Sequence, residues 1–189
     1  MTTEINVFTE NERKDWEINE KEVIDNIRKF MPTLIEKCSK IAGNNFCLTG
    51  YDYDVISFDI LFCGSEKTHD LNKNYRQKDY PADIITFAVF ADDENRFVFD
   101  NEINLGEIII ATDKVETNAI EKNVEKEHEL YFLIAHGILH LLGFDHQTNE
   151  DYNLVVELQN QALESIGKWP NLNAKNTKAP LEMQKKDFN

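Results

Sequence analysis

AHGILHLLGFDH, residues 135–146, is the stretch on which the reading of this chain turns. It carries three of the chain's five histidines, at 136, 140 and 146, in an otherwise apolar run. The longer segment EHELYFLIAHGILHLLG has the apolar density of a buried helix, and Gly143 is a natural end for it. His136 and His140 then lie one turn apart on one face. Beyond Gly143 a sharp turn can bring His146 back toward the same point. One histidine on an apolar helix is ordinarily a core residue with a hydrogen-bond partner. Three buried imidazoles without a metal would each need such a partner, which makes a metal site the stronger reading. The pattern H-x3-H-x5-H supplies three ligands and leaves one tetrahedral position open, as in catalytic rather than structural zinc. Zinc bound in that way acidifies its water toward neutral pH.

The spacing matches the long zinc-peptidase motif H-E-x-x-H-x-x-G-x-x-H. Gly137, however, stands where a peptidase carries its glutamate base. The methionines are Met1, Met31 and Met183, so no Met-turn follows the histidines. Both points argue against a peptidase. Asp145 is expected either to accept from a ligand imidazole N–H or simply to cap the turn. His69 and His128 are read as solvated side chains.

The 189 residues suit one domain, expected over 1–169, with a mobile polar tail over 170–189. Strands are predicted over 4–8, 54–63, 83–90 and 105–111. In 54–63 the side chains of Ile56, Phe58, Ile60 and Phe62 form one apolar face. WEINEKEVIDNIRKF predicts a helix that Pro32 should kink or break, resuming to Gly43. A short helix is expected over 65–75. Another is expected from an N-cap at Thr112, and a last one in NEDYNLVVELQNQALESIG. The segment between 90 and 105 reads as an acidic loop or irregular hairpin.

No apolar run approaches the ~20 residues of a membrane span. The N-terminal residues lack a basic start followed by an apolar stretch, so no secretory signal is expected. Cys38, Cys47 and Cys63 share no metal-ligand spacing and fit small core side chains in a reducing cytoplasm. The formal net charge of −15 argues against a broad basic footprint for nucleic acid. Locally the balance changes. Segment 64–80 carries Lys67, Lys73, Arg76 and Lys78 against Glu66, Asp70 and Asp79, and residues 168–189 are also locally basic.

HGILHLLGFDH closely resembles the H-G-x-L-H-L-x-G-[YF]-D-H signature of the YbeY family, bacterial metal-dependent endoribonucleases of ribosomal RNA maturation. LNKNYRQKDYPADIITF, 71–87, resembles that family's L-N-x-x-Y-R-x-x-D-x-x-T-D-V-L-S-F block, and LGEIIIA its L-G-D-I-x-I strand. The likeness spans roughly 46–166, with residues 1–45 matching only loosely. It implies a zincin-like α+β domain, a small mixed central sheet flanked by helices with the metal site on a helix. Strands 54–63, 83–90 and 105–111 would form the sheet centre and 2–8 an edge.

The resemblance further implies one zinc ion per chain on His136, His140 and His146, with Arg76 in the cleft facing it. A guanidinium there can clamp a phosphodiester and steady charge on its oxygens. Lys73 and Lys78 would add backbone attraction, or be merely solvated. Glu107 stands where the family has Asp, which puts a site-orienting role for it in question, and Ala82 stands where Thr is common. The implied function is zinc-dependent cleavage of single-stranded RNA in ribosomal RNA processing and ribosome quality control. The partners would be ribosomal RNA and the ribosome or its assembly factors, in the cytoplasm, with no membrane. The zinc-activated water would be the reactive group, and no side-chain base is assigned. Two alternatives stay open. One is a zinc hydrolase of a peptide or amide. The other is a non-catalytic ribosome assembly factor whose zinc is structural and closed by a fourth ligand, for which Cys63 is a candidate.

Overall fold

The computed structural model describes residues 3–168. Expectations for the tail 170–189 fall outside the described residues. Four strands form one sheet in the order β1 (Glu4–Asn11), β2 (Val55–Cys63), β4 (Glu102–Ala111), β3 (Ile84–Phe87). β1 and β4 run parallel to β2, whereas β3 is antiparallel to β4. The domain is therefore α+β with a mixed sheet, as the resemblance implies. One placement differs: 83–90 is not at the sheet centre but forms the edge opposite β1. It is also shorter than expected, since Val89–Asp92 turns into the one-turn helix α3.

The reason for the short length of β3 lies at Gly106. Its φ of +123° belongs to a glycine, and a Cβ there would sit 1.9 Å from the Phe87 carbonyl oxygen. The register between β2 and β4 slips at this point, from Ser57 opposite Asn104 to Asp59 opposite Glu107. That bulge ends the pairing with β3 at Phe87.

The two sheet faces are unequal. Ile56, Phe58, Ile60 and Phe62 of β2 join Ile108 and Ile110 of β4 in the main core. α1 (Glu20–Ala42), α5 (Lys126–Leu141) and α6 (Asn149–Ser165) pack into that core. The other face holds a small cluster of Cys63, Ile85 and Ile109, against Leu71 of α2 (Ser65–Arg76). α4 (Thr112–Lys122) follows β4 directly.

Three local expectations are corrected. α1 begins at Glu20 behind the Asn19 cap and runs through Pro32 without interruption. Pro32 is exposed, so the carbonyl freed one turn earlier can be hydrated. Val23, Ile27, Phe30, Met31, Leu34 and Cys38 meanwhile bury one continuous face. Thr112 is not the N-cap of α4 but its first residue, and its hydroxyl donates to the Cys63 carbonyl at 3.3 Å. His69 and His128 are not simply solvated. His69 Nε2 lies 2.8 Å from Asp79 Oδ1, and His128 Nδ1 lies 2.7 Å from the Lys168 carbonyl. Among the described residues no helix is long and apolar enough to cross a membrane.

Candidate metal centre and cleft

α5 runs through the core, and twelve of its 16 residues are buried. His136 and His140 leave it on one face with ring centroids 4.5 Å apart and their Nε2 atoms 2.9 Å apart. Gly143, with φ +83°, ends the helix, and the amides of Gly143 and Phe144 close back on the carbonyls of His140 and Leu139. The chain then reverses. His146 returns to 5.4 Å from His136 and 5.3 Å from His140, centroid to centroid. One ring nitrogen from each of the three lies within 4.8 Å of the others. Among the described residues no further histidine, cysteine or carboxylate joins this group. Cys63 is directed elsewhere, its thiol donating to the Ile110 carbonyl.

Two of the rings are held as neutral donors. Burial, then the neighbouring His140 and His146, holds His136 well below the usual imidazole range. His140 is lowered to about 4, again chiefly by burial, with His146 next and Arg76 acting in the same direction. Gln159 of α6, only 1% exposed, fixes the orientation of His136. Its amide nitrogen donates to the Phe132 carbonyl at 3.1 Å, which turns its oxygen toward His136 Nδ1 at 3.4 Å. Nδ1 is thereby assigned the proton, and Nε2 keeps a lone pair on the side of the other rings. Three imidazole nitrogens converging on one point match the donor set of a zinc site. Tyr152 packs edge-on against His146 at 5.8 Å.

Of the two roles expected for Asp145, the structure displays the turn cap. Its carboxylate accepts from the His146 backbone N–H at 2.8 Å and from the Gln147 amide at 3.1 Å. Gly137 faces the sheet. A Cβ there would lie 2.9 Å from two side-chain carbons of Ile108, so this position has no room for any side chain. Glu107 is not brought to the site. It pairs in register with Asp59 and Phe87, on the sheet face of Ile109, while Ile108 on the opposite face meets α5. Burial and Asp59 raise its carboxyl above the usual range.

An open cleft of about 570 Å³ lies in front of the histidines. Arg76, exposed at the last position of α2, lines it, as do Lys78 and Tyr80. Gln77, left-handed at φ 57°, ends α2 directly after Arg76. Arg76 makes no hydrogen bond or ion pair with the described residues. Lys73 is not in the lining, and its ammonium lies 3.5 Å from Asp79. Lys78 sits over the Tyr80 ring at 5.8 Å. The charged lining is balanced, with Arg76, Lys78 and Lys114 against Asp83, Asp92 and Asp145. In a chain of net charge −15 this is a local relief of negative potential. Gln159, buried behind His136, and Lys114, on the cleft wall, are among the residues that reading the sequence missed. A polar residue on a helix gives no sign by itself that it points inward.

The model of the family described as Endoribonuclease YbeY matches residues 8–167. The match thus takes in most of the N-terminal region that the motifs alone left only loosely related. Endoribonuclease YbeY of Brevibacillus brevis is 33% identical over 156 residues, covering 77% of this chain and 93% of that protein. Its counterpart from Oceanobacillus iheyensis is 39% identical over 111 residues, covering 57% of this chain and 72% of that protein. The solution structure of a Thermotoga maritima protein aligns with a TM-score of 0.50 at 19% identity, over 93% of this chain and 98% of that one. At that identity the likeness is one of fold.

Proposed function

The chain belongs to the YbeY family of endoribonucleases, and from that membership we propose that it cleaves single-stranded segments of ribosomal RNA during maturation and quality control, with zinc held by His136, His140 and His146. The observation that carries this reading is the meeting of three imidazoles at an open cleft beside an unpaired guanidinium. Zinc on three imidazoles supplies a Lewis acid and an acidified water.

The chain's own residues do the rest. Gln159 keeps the proton of His136 on Nδ1, leaving the Nε2 lone pair to a metal. Arg76, free of competing carboxylates, takes two oxygens of the phosphodiester in its fork and steadies charge that builds on them. Lys78 adds attraction for the strand. No side chain at 137 can act as a base, which speaks against peptide hydrolysis by the peptidase route. With no fourth protein ligand among the described residues, the site also lacks the closure of a structural zinc. The balanced cleft in an acidic chain suits weak contact with naked RNA, so recognition draws on the ribosome or its assembly factors. A cytoplasmic location belongs to the same reading, supported by three buried free cysteines.

Metal analysis and cleavage assays on three proteins test this. The wild-type chain is expected to carry about one zinc and to cut single-stranded RNA until a chelator is added. His140→Ala should lose both metal and cleavage. Arg76→Ala should keep the metal and lose cleavage. Full zinc occupancy in His140→Ala would overturn the ligand assignment, and unchanged cleavage in Arg76→Ala would remove the arginine from the reaction.

A further inference from the structure

Lys114 lies at the start of α4 and lines the same cleft as the three histidines and Arg76. It is half-buried. Its ammonium has no hydrogen bond, ion pair or ring contact with the described residues. Several other described lysines are paired, whereas Lys114 and Lys78 face the cleft without an ion pair. Lys67, Lys73, Lys122, Lys126 and Lys168 each reach a carboxylate. Asp83 lines the same cleft but forms no ion pair with Lys114. The Asp83 carboxylate receives the Ile84 backbone N–H at 2.8 Å and the Asn118 amide at 3.3 Å. Asn118 is one turn along α4 from Lys114 and also lines the cleft.

A cation on the wall of a cleft with no ion pair of its own is available to an anionic ligand. Arg76 stands at the end of α2 and Lys114 at the start of α4, so the two cations come from different elements. Only one of them is needed at the phosphate under attack. We propose that Lys114 forms a second phosphate subsite, which holds a neighbouring phosphate of the same single strand while Arg76 holds the one that is cut. This rests on the nuclease reading above and extends it: the substrate is a strand engaged at two backbone phosphates. Lys114 is a positioning residue, acting on the strand's hold and not on the reacting atoms.

The test is steady-state cleavage of a single-stranded RNA dodecamer by the zinc-loaded full chain across a series of salt concentrations. Wild type is compared with Lys114→Gln, Lys114→Arg and Lys14→Gln. Lys14 is exposed and outside the cleft, so its variant controls for a general change of charge. Lys114→Gln should raise KM several-fold with kcat within about twofold. Its plot of log KM against log salt should be shallower by about 0.7, the share of one phosphate contact on a single strand. Lys114→Arg should restore both, and Lys14→Gln should match wild type. A Lys114→Gln variant with wild-type KM and salt slope would overturn the subsite. So would one that loses kcat at an unchanged slope, or a Lys14→Gln variant with the same shift. If the wild-type chain does not cut the dodecamer, the nuclease reading itself falls.

Discussion

Gln159 sets a protonation state from another helix. Held by the Phe132 carbonyl through its amide nitrogen, it can present only its oxygen to His136 Nδ1. Replacing it with leucine keeps the volume and removes the acceptor. Gln159→Leu is expected to weaken zinc binding about 10–100-fold with little loss of helical signal. Competition against a chromophoric chelator measures this, and unchanged affinity would show that the glutamine does not tune the ligand. The three histidines could be read from spacing alone, because helical periodicity and a stop glycine are local properties. Gln159 could not, since in the string NLVVELQNQALE nothing distinguishes it from its solvated neighbours. Glu107 failed for the opposite reason. Motif position suggested a place near the site, and the bulge at Gly106 turned that side chain to the other face of the sheet.

Two elements carry the geometry of the cleft, and each has a glycine at its tightest point. α5 approaches β4 so closely at Gly137 that Ile108 occupies the space of a side chain. β4 bulges at Gly106 under the Phe87 carbonyl. Gly106→Ala combines an unfavourable backbone angle with a direct clash, and about 3 kcal/mol of stability should be lost. Urea denaturation of the metal-free protein reads that change; a loss below 1 kcal/mol would mean that the bulge relaxes easily. Pro32 teaches the reverse lesson. A local rule predicted a break, but a long buried face and an exposed proline let α1 continue. Element types and most boundaries were legible because hydrophobic period is local. The edge position of β3 was not, because strand order depends on contacts distant in sequence.

For the whole molecule, the metal centre links folding to pH. His140 falls to about 4 in the fold against 6.5 as its ordinary value, and burial also holds His136 well below that ordinary value. Between those values the unfolded chain binds protons that the folded metal-free chain does not. Stability of the metal-free protein should therefore decline as pH falls from about 6.5 toward 4, by up to ~1.4 kcal/mol per pH unit for each such histidine. Denaturation midpoints at pH 7, 6 and 5 check the sign, and a midpoint that rises on acidification would contradict it. By itself the sequence determined the chemistry available: three imidazoles at helical and turn spacing, an arginine in a basic segment, and a glycine where a peptidase needs its base. All of these follow from the order of residues within one or two elements. Only the tertiary structure decided which groups share the cleft or stand behind its ligands. Sheet order, the Gly106 bulge and the packing of α4 and α6 against α5 brought in Lys114 and Gln159 and left Lys73 and Glu107 outside. Burial and convergence are sums over contacts remote along the chain, and no short stretch of sequence contains them.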